Sequence, residues 1–159
     1  MEEHPEKAFQ WIVGLLRSRD MAFQVTGGLA ARSYGSVRPL YDIDIKVPEG
    51  SIAALAPFVR EHIVHGPTRC KDEAFDIALM TLVYEGQKID IGGYETARIY
   101  DAALGEWVPC GVDLNAYELR KIYGLEVPVM KKSDLIVFKE HLRRPTDIED
   151  IEQIRNAVV

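Results

Sequence analysis

The pattern of hydrophobic and polar positions predicts helices and strands that alternate through the first half of the chain. Apolar residues spaced by three or four indicate amphipathic helices, and strict alternation indicates half-buried strands. The predicted elements are a helix over 6–18, a strand over 22–26, a helix over 29–34, a strand over 41–47 and a helix through 61 that Ser51 caps. In the last of these, Ile52, Leu55, Phe58 and Val59 form one apolar face, which we expect to be buried.

Two β-rich runs and then further helices are predicted in the second half. Residues 75–84 and 88–94 are separated by Glu85-Gly86-Gln87, a turn sequence typical of an antiparallel hairpin. The later predictions are a helix over 113–123, an extended segment over 126–129, a helix that opens at Ser133-Asp134 and a last helix that begins at Pro145-Thr146-Asp147. No repeat or linker-like tract interrupts the chain.

These elements predict an α/β (α+β) fold, with a small mixed or antiparallel sheet, helices against it and a helical C-terminal portion. We expect residues 1–113 to form the core and residues 114–159 to pack on that core as part of one compact unit.

Acidic residues occupy the polar face of two predicted strands. Asp42 and Asp44 alternate with isoleucine in the first strand, and Asp90 does so in the second. Aspartate is disfavoured inside strands, so two on one face, about 7 Å apart, require an explanation. A solvated sheet face is one explanation. The other is that the strands are neighbours and the three carboxylates converge on a cation that relieves their repulsion. Ligand sets made only of oxygen suit Mg²⁺ or Mn²⁺.

Gly27 and Gly28 lie between a predicted strand and a predicted helix. A turn without Cβ atoms lets backbone N–H groups approach phosphate oxygens, and a helix N-terminus adds partial positive charge. A Gly-Gly pair by itself is more often an ordinary tight turn. Its position ahead of the Asp-x-Asp strand favours a phosphate-binding role here.

Gly27-Gly28, Asp42-Ile43-Asp44 and Asp90 together resemble the signature of the nucleotidyltransferase superfamily typified by DNA polymerase β. In that superfamily a Gly-Gly or Gly-Ser turn and a short helix precede an Asp-x-Asp or Asp-x-Glu strand, and a third carboxylate lies on a later strand. The chain is most similar to small bacterial and archaeal members, a group that includes lincosamide-type antibiotic nucleotidyltransferases and toxins of certain abortive-infection systems. The likeness covers most of residues 25–151. Gly28 replaces the commoner serine, so phosphate binding would rest on backbone N–H groups.

The resemblance implies transfer of a nucleoside monophosphate from a nucleoside triphosphate, with ATP as the expected nucleotide, to an acceptor hydroxyl, with release of pyrophosphate. It implies that Asp42, Asp44 and Asp90 are catalytic and bind Mg²⁺ or Mn²⁺, and that Asp90 also helps to deprotonate the acceptor. Gly27 and Gly28 would hold the phosphates.

Two basic residues are further candidates for nucleotide binding. Arg38 lies in the loop before the acidic strand, where a guanidinium could donate two hydrogen bonds to a phosphate. A solvated loop arginine explains it equally well. Lys139 stands where similar proteins place a lysine after the Val-Pro-Val strand, although exposed helix lysines are common.

Composition limits the other classes of function. The chain is 47% hydrophobic and 28% charged, as in an ordinary soluble domain. A net charge of −6 does not indicate nucleic-acid binding, which depends on clustered Lys and Arg. Two cysteines are too few for a disulfide framework. No stretch reaches the roughly eighteen apolar residues of a membrane span. Residues 1–5 are acidic, whereas the start of a signal peptide is basic. We therefore expect a cytoplasmic protein without membrane contact.

Two alternatives to an enzyme stay open. One is a non-catalytic regulator, or a component of a toxin–antitoxin pair, that binds nucleotide and metal without turnover. The presence of Asp90 argues against it, because a non-catalytic descendant has no need of the third acid. The other is an interaction domain whose acidic face binds a basic partner. The acceptor, the nucleotide and the oligomeric state are left open by the sequence.

Overall fold

A computed structural model describes residues 5–157 of the protein. The first four residues, which carry most of the acidic start noted above, lie outside the described part. The helices are α1 (Pro5–Ser18), α2 (Gly27–Ser33), α3 (Glu49–Leu55), α4 (Lys132–Leu142) and α5 (Pro145–Asn156). The strands are β1 (Gln24–Thr26), β2 (Asp42–Val47), β3 (Ile63–Lys71), β4 (Phe75–Tyr84), β5 (Gln87–Gly93), β6 (Arg98–Asp101), β7 (Glu106–Pro109), β8 (Tyr117–Ile122) and β9 (Leu125–Met130).

The nine strands of the described residues form one mixed sheet. Its order is β7-β6-β4-β5-β2-β1-β9-β8, and β3 pairs with β4 outside this path. β2 is parallel to β5 and β1 is parallel to β9, whereas β1 with β2 and β4 with β5 are antiparallel. The predicted fold class, a mixed sheet flanked by helices with helices near the C-terminal end, is confirmed.

The alternation of the two central strands separates the core from the cleft. Ile43, Ile45, Ile89 and Ile91 have no exposed surface, while the aspartates between them line an open cleft. α1 contacts β2 and β5, and α3 contacts β4 and β5. Each fully buried isoleucine stabilises the fold by about 1.5 to 3 kcal/mol, so the register of β2 and β5 is set firmly and the carboxylates are held on the opposite face.

The hairpin predicted between residues 75 and 94 is confirmed. Tyr84 pairs with Gln87, and the two residues between them, Glu85 and Gly86, have φ values of 47° and 83°. Two consecutive residues of positive φ match the right-handed twist of the flanking strands. Trp11 of α1 stacks on Tyr84, with ring centroids 4.3 Å apart, and so joins the first helix to this hairpin.

The predicted helix over 113–123 is wrong, because residues 117–122 form strand β8, which pairs antiparallel with β9. Gly124 directly follows the last residue of that predicted helix, a position typical of a helix C-terminus. Instead, Tyr123 and Gly124 have φ values of 48° and 81° and form the turn that joins the two strands. A glycine of positive φ serves as a helix C-cap and as a hairpin residue equally well, so the sequence signal is the same for both.

The predicted helix through residue 61 is shorter in the structure. α3 ends at Leu55, and two 3₁₀ turns follow at residues 56–58 and 60–62. Pro57 lies in the first of these turns, and proline breaks the hydrogen-bond pattern of a helix interior. Phe58 is consequently 49% exposed, and the prediction that it is buried is wrong, whereas Val59 is fully buried as expected.

Three strands, β3, β6 and β7, were not predicted. β3 is exposed along most of its length and β7 is short, so neither has the apolar alternation that marks a half-buried strand. Within residues 5–157, no helix has both the length and the apolar character that crossing a membrane requires.

Two phenylalanines of opposite burial give a matched test of the core. Phe9 of α1 is fully buried and contacts Tyr123, whereas Phe58 is half-exposed with the Arg19 guanidinium over its ring. We expect Phe9→Ala to lower the free energy of unfolding by about 3 to 5 kcal/mol and Phe58→Ala to lower it by less than about 1 kcal/mol. Urea denaturation measures both. Similar losses in the two variants would contradict the described packing of α1.

Candidate functional site

The three predicted acidic residues meet on the central strands. Parallel pairing of β2 with β5 places Asp44 beside Asp90 and Asp42 beside Lys88. One carboxylate oxygen from each aspartate lies within 4.8 Å of the other two. The expected convergence of the three side chains is therefore present, and it follows from a register that the buried isoleucines impose.

Burial makes this arrangement electrostatically unfavourable when no cation is present. Burial raises the pKa of Asp44 to about 7, and the charges of Asp42 and Asp90 act in the same direction. Lys46 and Lys139 oppose this rise in the pKa of Asp44. Burial also raises the pKa of Asp42, and hydrogen bonding and charge at Asp90 add to the effect. The cluster thus attracts either protons or a cation.

Lys88 is the positive side chain nearest to this cluster among the ion pairs of the described residues. Its Nζ lies 3.8 Å from Asp42 Oδ2 and 3.7 Å from Asp90 Oδ2. The lysine side chain is 51% exposed, and neither distance is that of a short hydrogen bond. Lys88 therefore balances part of the negative charge and is free to move away into solvent.

Thr81 fixes the orientation of Asp90. Its hydroxyl donates to Asp90 Oδ1 at 2.6 Å, and it stands opposite Asp90 on the neighbouring strand β4. Thr81 is only 6% exposed. One oxygen of Asp90 is thus held by a buried hydroxyl, and its other oxygen faces Asp42 and Lys88. Sequence reasoning missed Thr81, since nothing in the chain marks one threonine in a hydrophobic strand.

The two glycines lie directly against the charged residues of the cleft. Gly27 has a φ of 64°, and a Cβ atom built on it would overlap the Asp44 carboxylate. A Cβ on Gly28 would lie 3.1 Å from an Arg38 guanidinium nitrogen. Glycine is therefore required at position 27 by conformation and by space, and the backbone at both positions is open to the cleft.

All of the predicted site residues line one cleft of about 620 Å³: Gly27, Gly28, Arg38, Asp42, Asp44, Asp90 and Lys139. This volume is within the usual range for sites that bind small molecules. The structure thus brings together residues that are up to 112 positions apart in the chain, from Gly27 to Lys139.

Solved structures share this architecture over nearly the full length of the chain. The Thermotoga maritima protein TM1012, a provisionally assigned nucleotidyltransferase, has 23% sequence identity and a TM-score of 0.72, with 98% of this chain and 96% of that chain covered. The lincosamide antibiotic adenylyltransferase LnuA, in its lincomycin-bound form, has 15% identity and a TM-score of 0.63, with 95% and 96% covered. ANT(2")-Ia in complex with adenylyl-2"-tobramycin has 17% identity and a TM-score of 0.64, with 94% and 87% covered.

The chain has the nucleotidyltransferase fold. No family model matches the sequence, and the comparison with curated proteins finds no match. At identities below 25% the structural likeness establishes the fold, and the chemistry of the site has to be derived from its own residues.

On the nucleotidyltransferase fold, the cleft wall that faces the aspartates is an ion-pair network. Asp150 accepts two hydrogen bonds from Arg38, at 2.7 and 2.9 Å, and a third contact from Lys139 Nζ at 2.9 Å. Asp147 pairs with Lys139 at 3.4 Å and with Arg144 at 2.7 Å. Three cationic side chains thus share two buried carboxylates, so the network carries one net positive charge. All three cations line the cleft.

The network changes the picture of the two basic candidates. Arg38 is not a solvated loop residue, because its side chain is 13% exposed and is bound by Asp150. Lys139 is not an exposed helix lysine, because only 2% of it is exposed. Arg144, Asp147 and Asp150 were not identified as site residues from the sequence. Their spacing of three places both aspartates on the buried face of α5, but the sequence does not show what that face contacts.

Asp150 is ionised at neutral pH even though its side chain is fully buried. Burial opposes ionisation, but hydrogen bonds from Arg38 and the charge of Lys139 outweigh it, so the pKa of Asp150 lies below its usual value. Ser36 adds a further hydrogen bond at 2.7 Å. A carboxyl whose folded pKa is depressed stabilises the protein above its unfolded pKa, and this contribution is lost as pH falls through the folded pKa.

Replacement of Asp150 by its neutral isostere tests the network. We expect Asp150→Asn to lower the free energy of unfolding by about 3 kcal/mol at pH 7. The difference from the unmodified protein should shrink as pH falls below about 4, where the unfolded carboxyl becomes protonated. Urea denaturation at a series of pH values measures it. Glu149→Gln, an exposed neighbour on the same helix, is the control and should show a small, flat difference. A pH-independent loss in Asp150→Asn would contradict an ionised Asp150.

Proposed function

We propose that the protein is a metal-dependent nucleotidyltransferase. It transfers a nucleoside monophosphate from a nucleoside triphosphate, with ATP as the expected nucleotide, to an acceptor hydroxyl and releases pyrophosphate. The observation that carries this proposal is the cluster of three aspartate oxygens within 4.8 Å, which faces a positively charged wall across one cleft. The antibiotic adenylyltransferase LnuA and the adenylyl-tobramycin complex of ANT(2")-Ia support the same reaction class on this fold.

The acidic cluster fits a divalent cation by its donor set. Only carboxylate oxygens are offered, which suits Mg²⁺ or Mn²⁺. The raised pKa values of Asp42 and Asp44 reflect burial and, to a smaller extent, repulsion, both of which a cation would offset. Lys88 can leave because it is half-exposed. A divalent ion bound there would supply positive charge to the triphosphate and lower the pKa of a coordinated hydroxyl.

The residues around the cluster would bind and orient the nucleotide. Gly27 and Gly28 present backbone to the cleft, where a side chain would block the approach of phosphate. Arg38, Lys139 and Arg144 line the facing wall, and their one net positive charge attracts phosphate oxygens. Arg38 donates hydrogen bonds from Nε and Nη2 to Asp150. Its contribution to phosphate binding is therefore mainly its positive charge. In this proposal residues 1–113 supply the acids and the glycine turn, and residues 114–159 supply the rest of the wall.

Asp90 would accept the proton of the acceptor hydroxyl. Thr81 holds one Asp90 oxygen, which leaves the other oxygen available for the acceptor. The acceptor oxygen forms a bond to the α-phosphorus as the bond between that phosphorus and pyrophosphate breaks, and the hydroxyl proton passes to Asp90.

Both cysteines are free thiols, which fits the cytoplasmic location that we also propose.

The first test of the function is metal-dependent nucleotide binding. We expect ATP to bind in the presence of millimolar Mn²⁺ and to bind at least about tenfold more weakly without it, a change of about 1.4 kcal/mol. Asp42→Asn and Asp44→Asn keep the shape of the site but remove its charge, and both should abolish the metal effect. Asp20→Asn is the control, because Asp20 is exposed and is not among the residues that line the cleft. Isothermal titration measures all four proteins, and absence of metal binding to the unmodified protein would refute the proposal.

The second test separates an enzyme from a binding protein. We expect Asp90→Asn to leave ATP affinity within about tenfold and to lower turnover by about 10² or more, because general-base assistance acts chiefly in the transition state. Pyrophosphate release is measured with ATP, GTP, CTP and UTP against fractionated cell extract as the source of acceptors. Thr81→Val should lower turnover by a smaller factor and Thr81→Ser should restore it. Equal losses of ATP affinity and turnover in Asp90→Asn would mean that Asp90 acts only as a metal ligand. If the unmodified protein releases no pyrophosphate, the non-catalytic regulator is favoured.

A further inference from the structure

The lining of the cleft combines groups of different chemistry. The glycine turn, Arg38 and the aspartates are polar, whereas Phe75, Ile77 and Leu79 of β4 and Phe138 of α4 are apolar. We call these four residues the apolar end. Phe75, Ile77 and Leu79 precede Thr81 along β4 at intervals of two residues, so these three side chains lie on the same face of the strand as Thr81.

The apolar end begins directly beside Asp90. Thr81 pairs with Asp90, and Leu79 pairs with Gly92, which is two residues, or about 7 Å, further along the strand. A Cβ atom on Gly92 would lie 2.7 Å from Ile77 Cδ1, so the Ile77 side chain extends over the glycine. The absence of a side chain at Gly92 therefore makes room for Ile77, and Ile77 and Leu79 add hydrocarbon to the cleft lining close to Asp90.

Two aromatic rings belong to the apolar end. Phe75 and Phe138 have ring centroids 6.4 Å apart. The Arg144 guanidinium carbon lies 5.2 Å from the Phe75 centroid. The charged wall and the apolar end therefore meet at Arg144 and Phe75. A planar or alicyclic group placed between Leu79 and these rings would be in contact with hydrocarbon on several sides.

The charged groups near the apolar end are already engaged. Lys46 places its aliphatic carbons Cδ and Cε beside Gly92, while its Nζ donates to Thr26 at 3.3 Å on the β1 side. Apart from the three clustered aspartates, Asp72 is the carboxylate that lines the cleft within the described residues. Its Oδ1 accepts hydrogen bonds from the backbone of Ala74 and Phe75 at 2.8 and 2.7 Å. Apart from the three clustered aspartates, a substrate with several ammonium groups would therefore meet one carboxylate, Asp72, on the described lining of the cleft.

We propose that the apolar end binds the acceptor, and that the acceptor carries its hydroxyl on an uncharged, largely apolar body. This inference rests on the proposed function, because it is the assignment of Asp90 to the acceptor hydroxyl that places the acceptor on this side. The apolar body contacts Leu79, Ile77 and the two rings, and its hydroxyl reaches the Asp90 oxygen that Thr81 leaves available. Burial of hydrocarbon supplies the affinity, and Asp90 supplies the orientation.

The test uses 2-naphthalenemethanol, a neutral aromatic alcohol, as the probe. We expect it to bind the unmodified protein, followed by its fluorescence, and to bind at least about tenfold more weakly to Leu79→Asp, because that change places a carboxylate in the hydrocarbon surface. Leu119→Asp is the matched control, since Leu119 is also a strand leucine but is 57% exposed and lies on β8 at the far edge of the sheet. It should leave probe affinity unchanged. Kanamycin, a polycationic amino sugar, should not displace the probe.

Three outcomes would overturn the inference. The first is no probe binding at millimolar concentration, and the second is equal probe affinity in Leu79→Asp and the unmodified protein. The third is displacement of the probe by kanamycin when the kanamycin concentration is below the probe concentration. If Leu79→Asp does not fold, methyl NMR of the unmodified protein decides, because the Ile77 and Leu79 methyl signals should shift with the probe and those of Leu119 should not. ATP and Mn²⁺ titrations in the same preparations keep the two proposals apart. If the protein binds the probe but not the nucleotide, the proposed nucleotidyltransferase function is refuted. If it binds the nucleotide but not the probe, the proposed class of acceptor is refuted.

Discussion

Parallel pairing of β2 with β5 is the constraint on which the rest of the cleft depends. The register that buries four isoleucines on one face forces Asp42, Asp44 and Asp90 together on the other. The core thus sustains a cluster of like charges in which burial, with repulsion adding to it, raises the pKa of Asp42 and of Asp44. A hydrophobic core supplies enough free energy to hold such an arrangement, and the positively charged wall opposite gives the cluster an electrostatic counterpart.

That opposite wall is itself ordered by buried charge. Asp147 and Asp150 are fully buried and hold Arg38, Lys139 and Arg144 at the cleft. Buried ion pairs are a poor source of stability compared with hydrocarbon packing, so their presence is better explained by what they position. The same anions fix one residue from an early loop and two from the C-terminal part of the chain, and all three of these residues line the cleft.

Local patterns were enough to predict the acidic half of the site and little of the basic half. Alternation along β2 and β5 identified Asp42, Asp44 and Asp90, and one further assumption, that the two strands are neighbours, predicted their convergence. The network around Asp150 joins residues 112 positions apart, and no local period reports such a contact. The error at β8 has a similar origin, because Gly124 ends a helix or turns a hairpin with the same backbone conformation, and only pairing with β9 decides between them.

The contact between Arg38 and Asp150 also sets the time at which the cleft can be complete. At synthesis rates of about 5 to 20 residues per second, the 112 positions between them correspond to roughly 6 to 22 s. In the later part of that interval, once Asp90 has been made, a nascent chain has its three clustered carboxylates but lacks α5, so its loop arginine does not yet have Asp150 to hold it. A ligand that needs both walls can therefore bind only after α5 has left the ribosome, and the partly made protein presents an acidic groove to its surroundings.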